Sequence, residues 1–216
     1  MENDMDIKKL LKLQDELNIL TAGENWKLGT TDKGREINWY IAITMETCEL
    51  IDSLNWKHWS NINSKDNIDN AKLELADIWH FILSQMLVEG FDGKQYINFK
   101  QRDYNRDKVI YHSVKLIQEV VSPITARLSV ILNEFNELMC MLFDSEEEFV
   151  KLYLGKSVLN RFRVANKYAE GKYIKIWVGG LEDNVYMQDF LEFTQDPDEL
   201  YNLLKIEYAK VSDEVN

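Results

Sequence analysis

Leu10, Leu13, Leu17 and Leu20 recur three and four residues apart, which predicts a first helix from about Met5 to Leu20, ended by Thr-Ala-Gly at 21–23. Gln14 and Asn18, four apart, fall beside this leucine stripe between Leu11 and Leu17. Both amides should therefore look partly inward, where they need hydrogen-bond partners. A second helix is expected from a cap at Thr31 or Asp32 through Trp39, Ile43 and Leu50 to about Leu54. After the polar loop from Ser60 to Asn67, a third runs from about Ile68 to Val88 with Leu75, Ile78 and Ile82 inward. The loop allows this pair to run antiparallel.

Residues from Gly90 to Asp107 are polar and irregular. Apolar periodicity resumes from Val109 to Val121, breaks at Pro123 and continues from Ile124 to Phe143. Ser145 followed by Glu146, Glu147 and Glu148 places a cap and three acids at a helix N-terminus, and that helix should reach about Lys167. A β-prone stretch, Tyr173 to Val178, leads into a turn from Gly179 to Asn184, and a last helix follows Pro197. The expectation is an all-α helical bundle. Residues 1–89 and 145–216 would form its core, with 90–144 an inserted or mobile helical segment.

Composition supports that class: 45% of the 216 residues are apolar, and only nine glycines and two prolines punctuate the chain. A net charge of −12 excludes a surface that coats nucleic acid or an anionic membrane, but not a nucleotide whose phosphates meet a bridging cation. No apolar run approaches the length of a membrane span, and the first residues lack a basic stretch followed by an apolar one. A cytoplasmic protein is expected. Cys48 and Cys140 lie far apart with no metal or redox spacing, which reads as two reduced core residues.

Candidate chemistry lies in four acids. Glu46 and Glu49 share one face of the second helix, and Glu74 and Asp77 share one face of the third. Brought together they would repel one another unless neutralised by Mg²⁺ or Mn²⁺. Three readings stay open on spacing alone. They are a solvated acidic face, a Mg²⁺ site, or a di-iron bundle, although the last places Glu-x-x-His on two helices and here only Asp77-x-x-His80 approaches it. The aromatic and apolar surroundings, 41–59 and 73–87, favour the metal.

These acids sit within longer motifs. Leu-Leu-Lys-Leu-Gln14-Asp-Glu-Leu-Asn18, Met45-Glu46-Thr-Cys-Glu49, Trp56-Lys57-His58-Trp59 and Glu74-Leu-Ala-Asp77-Ile-Trp-His80-Phe81 follow one another, and Gly155-Lys156-Ser-Val-Leu-Asn160-Arg-Phe-Arg163, Tyr168, Lys175 and Glu182-Asp183-Asn184 come later. Together they resemble the dimeric, all-α dUTPase family, relatives of the MazG-like nucleotide pyrophosphatases. Residues 90–143 match it only weakly.

The resemblance implies a homodimer that hydrolyses dUTP to dUMP and pyrophosphate, accepts dUDP, and uses Mg²⁺ held by Glu46, Glu49, Glu74 and Asp77, with Glu49 also the general base. Lys175 and Arg163, and more weakly Lys57, would balance charge on the leaving pyrophosphate. Gln14 and Asn18 suit the O2, N3–H and O4 edge of uracil, because an amide both donates and accepts. Similarity adds Asn160 and Asn184 to the nucleoside pocket, Phe81 as a stacking ring, and His58, His80 or Tyr168 at sugar or base. Trp56 and Trp59 read as packing residues of the intervening loop. Two alternatives remain: a pyrophosphatase for dCTP or a non-standard nucleotide on the same fold, or a helical interaction protein.

Overall fold

The helix from Ile68 to Glu89 is apolar on more than one face, burying Leu73, Leu75, Ile78, Trp79, Ile82, Leu83 and Met86, and such a helix must lie inside its neighbours. A computed structural model, which describes residues 5–122 and 127–214, puts it there. In chain order the helices are α1 (Ile7–Ala22), α2 (Trp39–Asp52), α3 (Ile68–Glu89), α4 (Arg106–Val120), α5 (Leu128–Leu142), α6 (Glu146–Ala165), α7 (Asp183–Leu191) and α8 (Pro197–Glu214). The described residues form no strand, only two isolated bridges, and the fold is all-α.

α1, α2, α5 and α6 all pack against α3. α2 and α3 are antiparallel: Asn67 N–H donates to Ser53 C=O at 2.8 Å at one end, and the Tyr40 hydroxyl donates to Glu89 Oε1 at 2.8 Å at the other. Side chains midway along the two helices are thereby set opposite each other. α4 packs on α2 and α5, and Val109, Leu116, Ile131 and Phe135 join the same hydrophobic cluster as Ile43, Ile78 and Leu159. Trp79 stacks on Phe135 at 4.6 Å, which ties α3 to α5.

Side-chain caps start the helices where short polar residues allow. Asp6, Asn38, Asn67, Asn105 and Ser145 each accept a backbone N–H three residues on. The second helix departs from expectation here. It begins at Trp39 behind Asn38, not at Thr31 or Asp32, because residues 30–36 close a small turn with an antiparallel bridge from Thr30 to Glu36. The stretch Tyr173 to Val178 makes no strand, only the bridge from Ile176 to Glu182. α5 begins at Leu128 rather than Ile124; Pro123 and Ile124, where the break was expected, lie outside the described residues.

α7 is an element that the hydrophobic pattern did not reveal. It docks on α6 at Gly155, where an added Cβ would come within 2.6 Å of Leu191 Cδ1 and 2.8 Å of Met187 Sδ. With glycine there, the Leu191 and Met187 side chains close on the α6 backbone without having to shift. One further expectation fails on exposure. Cys140 is buried but Cys48 is exposed, since it faces outward from α2 beside Ile41 and Met45. In the loop between α2 and α3, Trp56 and Trp59 pack edge to face on each other at 5.7 Å, although both keep solvent exposure.

Candidate active site

Three of the four acids meet. Glu46 from α2 and Glu74 and Asp77 from α3 offer carboxylate oxygens that all lie within 4.8 Å of one another. Burial, followed by repulsion from Asp77, Glu49 and Glu74, pushes the Glu46 carboxyl up to about 8, with Lys156 opposing. Burial and then Asp77 raise Glu74 as well, although Lys156 and a 2.9 Å hydrogen bond from Asn70 Nδ2 pull the other way. Glu49, one turn from Glu46, is exposed and outside this three-residue group, yet its charge reaches both glutamates.

The cation of the cluster is Lys156. It is only 2% exposed, and its Nζ lies 2.7 Å from Asp77 Oδ2 and 3.1 Å from Asn184 Oδ1. Its place on α6 accounts for the burial, since Leu152, Tyr153 and Leu159, at helical spacing around it, are all buried. Two turns further, Arg163 grips the fully buried Asp183 with two parallel bonds, Nε to Oδ2 and Nη2 to Oδ1, both 2.8 Å. The same guanidinium reaches Asn160 Oδ1 at 3.2 Å and Asn184 Oδ1 at 3.4 Å. Asp183 is a residue that the sequence reading assigned no task.

Beside the acids opens a cavity of about 270 Å³ lined by Gln14, Asn18, Trp39, Asp77, His80, Phe81, Asn160, Arg163 and Tyr168, with Leu17, Thr21 and Val164 completing the wall. It falls near the lower end of ligand-pocket sizes. Asp77 belongs to both the cluster and this wall. Phe81 stacks on Trp39 with ring centroids 5.8 Å apart and planes 26° from parallel, so Trp39, read from the pattern as a helix-face residue, joins the site. Arg163 lies over the Tyr168 ring at 5.8 Å.

Behind the wall the amides find their partners. Gln14 Nε2 donates to Asn18 Oδ1 at 2.9 Å and Ser84 Oγ at 3.2 Å, and Asn18 Nδ2 donates to Ser84 Oγ at 2.9 Å. His80 Nδ1 lies 2.6 Å from Gln14 Oε1, and the His80 ring packs on Tyr153 at 4.4 Å. Burial lowers His80 to about 4 despite the pull of Asp77, so the ring is neutral at pH 7 and Nδ1–H donates to Gln14.

Other expected residues lie apart from these contacts. Lys57 pairs with Asp52, and His58 is exposed against Trp59 at 4.7 Å. Lys175 is paired at the surface with Glu182 at 3.2 Å.

On this all-α bundle, an acid cluster that could hold a divalent cation thus shares a residue with an amide-lined aromatic cavity. The family model described as dUTPase matches residues 6–168, and the chain belongs to the dimeric, all-α dUTPase family, in which dUTP hydrolysis is the family activity. Comparison with curated proteins finds no match.

Proposed function

We propose that this protein hydrolyses dUTP to dUMP and pyrophosphate, and dUDP to dUMP and phosphate, by attack of water on the α-phosphorus. The observation that carries the reading is Asp77, which belongs to the acid cluster and to the cavity wall at once. A nucleoside seated among Asn18, His80 and Phe81 then directs its phosphates toward Glu46 and Glu74.

The donor set suits a hard divalent cation. It is all oxygen, and Glu46, its carboxyl pushed up to about 8, holds a proton at neutral pH that a metal would displace. Mg²⁺, or Mn²⁺ in its place, would be held by Glu46, Glu74, Asp77 and Glu49. Bound there, Mg²⁺ neutralises phosphate charge and acidifies water. Glu49, exposed and tied to no other side chain by a hydrogen bond among the described residues, takes the proton of the attacking water. Arg163 reaches the nucleotide from a guanidinium already oriented by Asp183, while Lys175 and Lys57 are surface cations for the leaving pyrophosphate. Phe81, backed by Trp39, stacks on the base, and Asn160, Asn184 and Tyr168 line the nucleoside.

The proposal includes a homodimer. Family membership supports it, as do Ile41 and Met45, which α2 exposes by 61% and 53%. Among the described residues no helix is long and apolar enough to cross a membrane.

A panel of dUTP, dUDP, dCTP, dTTP and UTP, assayed for pyrophosphate and phosphate with Mg²⁺, tests the reading. Turnover of dUTP and dUDP with little of the others is expected. Equal turnover of the whole panel, or none of dUTP, contradicts it.

A further inference from the structure

The buried polar chain behind the cavity has a single consistent direction. Ser84 is fully buried on α3 and gives its one hydroxyl proton to the His80 carbonyl at 2.7 Å, the bond a helical serine makes to the turn before it. Its oxygen can then only accept. Both amides must turn their NH₂ groups toward it, Asn18 at 2.9 Å and Gln14 at 3.2 Å. The other end of Gln14 agrees: Oε1 receives the Tyr153 hydroxyl at 3.2 Å and His80 Nδ1–H at 2.6 Å. Turning Asn18 over would set a carbonyl oxygen against an oxygen with no proton to give, and would set its NH₂ against the NH₂ of Gln14. Buried contacts of that kind leave acceptors and donors unsatisfied.

Counting donors and acceptors separates the two amides. Gln14 uses both N–H groups and both lone pairs of Oε1 inside the protein, so nothing is left for a ligand. Asn18 uses one N–H and one lone pair. It therefore keeps one donor and one acceptor, in a fixed order, on the wall of the cavity. Uracil offers an N–H beside a carbonyl and matches that order. Cytosine offers a ring nitrogen acceptor beside an amino donor and needs the amide reversed.

We propose that Ser84 is a specificity-determining positioning residue, which with Gln14 holds the Asn18 amide in the orientation that accepts uracil and rejects cytosine. The inference rests on the dUTP reading above and deepens it. Asn18 reads the base, and Gln14 supports it.

The test compares kcat/KM for dUTP and dCTP in the wild type, Ser84→Ala, Ser84→Thr and Tyr153→Phe. Ser84→Ala removes the acceptor that orders both amides, and the dUTP-to-dCTP ratio should fall about tenfold, chiefly through KM. Ser84→Thr returns the hydroxyl and should move the ratio back. Tyr153→Phe keeps the ring and removes one donor to Gln14; a drop of about threefold is expected, and this variant carries the test if Ser84→Ala does not fold. A merely structural role lowers both nucleotides together and leaves the ratio unchanged, which overturns the inference while the dUTP reading stands. A wild type inactive on dUTP overturns both.

Discussion

Lys156 Nζ and Asp77 Oδ2 stand 2.7 Å apart in a pair whose lysine side chain is only 2% exposed and whose aspartate is 20% exposed. This buried ammonium stabilises three carboxylates that would otherwise face one another without a cation. Lys156→Met, which keeps the apolar stem, should cost about 2–3 kcal/mol of stability in metal-free protein, somewhat less than a fully buried broken pair because Asp77 retains some water. Thermal unfolding with EDTA and then with Mg²⁺ reads it: a lower midpoint that Mg²⁺ partly restores is expected. An unchanged midpoint in EDTA would remove the lysine from this role.

Glu49 offers the opposite case, an exposed acid with little to hold in the fold. Glu49→Ala should keep the wild-type circular dichroism and unfolding midpoint while dUTP turnover drops by about 10³-fold, in the range for loss of a general base. A rate within threefold or so of wild type would show that another group accepts the proton.

The acid cluster makes the metal-free protein sensitive to pH. Glu46 titrates near 8 in the folded chain and near 4.5 ordinarily, so the folded state binds its proton more tightly than the unfolded state does. Its contribution is fully present below about pH 4.5 and is lost as pH rises through about 8. In EDTA the midpoint should therefore fall as pH rises from about 4.5 to about 8 and level off above that. The gain on adding Mg²⁺ should grow over the same range, because metal and proton compete for one carboxylate. A Mg²⁺-induced gain that is flat with pH would count against Glu46 as a ligand.

Arg163 and Asp183 form the most completely buried fork in the site, the aspartate having no exposure at all. Arg163→Ala strands that carboxylate, and a loss of about 3–5 kcal/mol in urea unfolding is expected. Arg163→Lys keeps the charge but not the two parallel bonds and should lose a substantial part of the same stability. A fully stable Arg163→Ala would make the guanidinium a ligand contact with no structural duty.

Much of this was legible because helices announce themselves by period. The leucines of α1 placed Gln14 and Asn18 inward, the i, i+3 acids of α2 and α3 shared one face each, and Ser145 with its three glutamates marked the start of α6. What escaped depended on partners distant in sequence. Ser84 is one small polar residue in an apolar helix until Gln14 and Asn18 arrive from 70 and 66 residues away. Lys156 looks like a surface charge until Asp77 and Asn184 surround it. α7 was hidden because Glu182-Asp183-Asn184 reads as a turn, and its docking surface is the absence of a side chain at Gly155. The start of α2 was misplaced because Thr31 and Asp32 are as good caps by residue type as Asn38, which is the one that caps it.

The most direct measurement is dUTP hydrolysis with Mg²⁺ in ¹⁸O-labelled water, with both products analysed by mass. Attack at the α-phosphorus puts the label in dUMP and leaves pyrophosphate unlabelled. Label in pyrophosphate, or no dUMP formed, would contradict the assignment of this site as a dUTP pyrophosphatase.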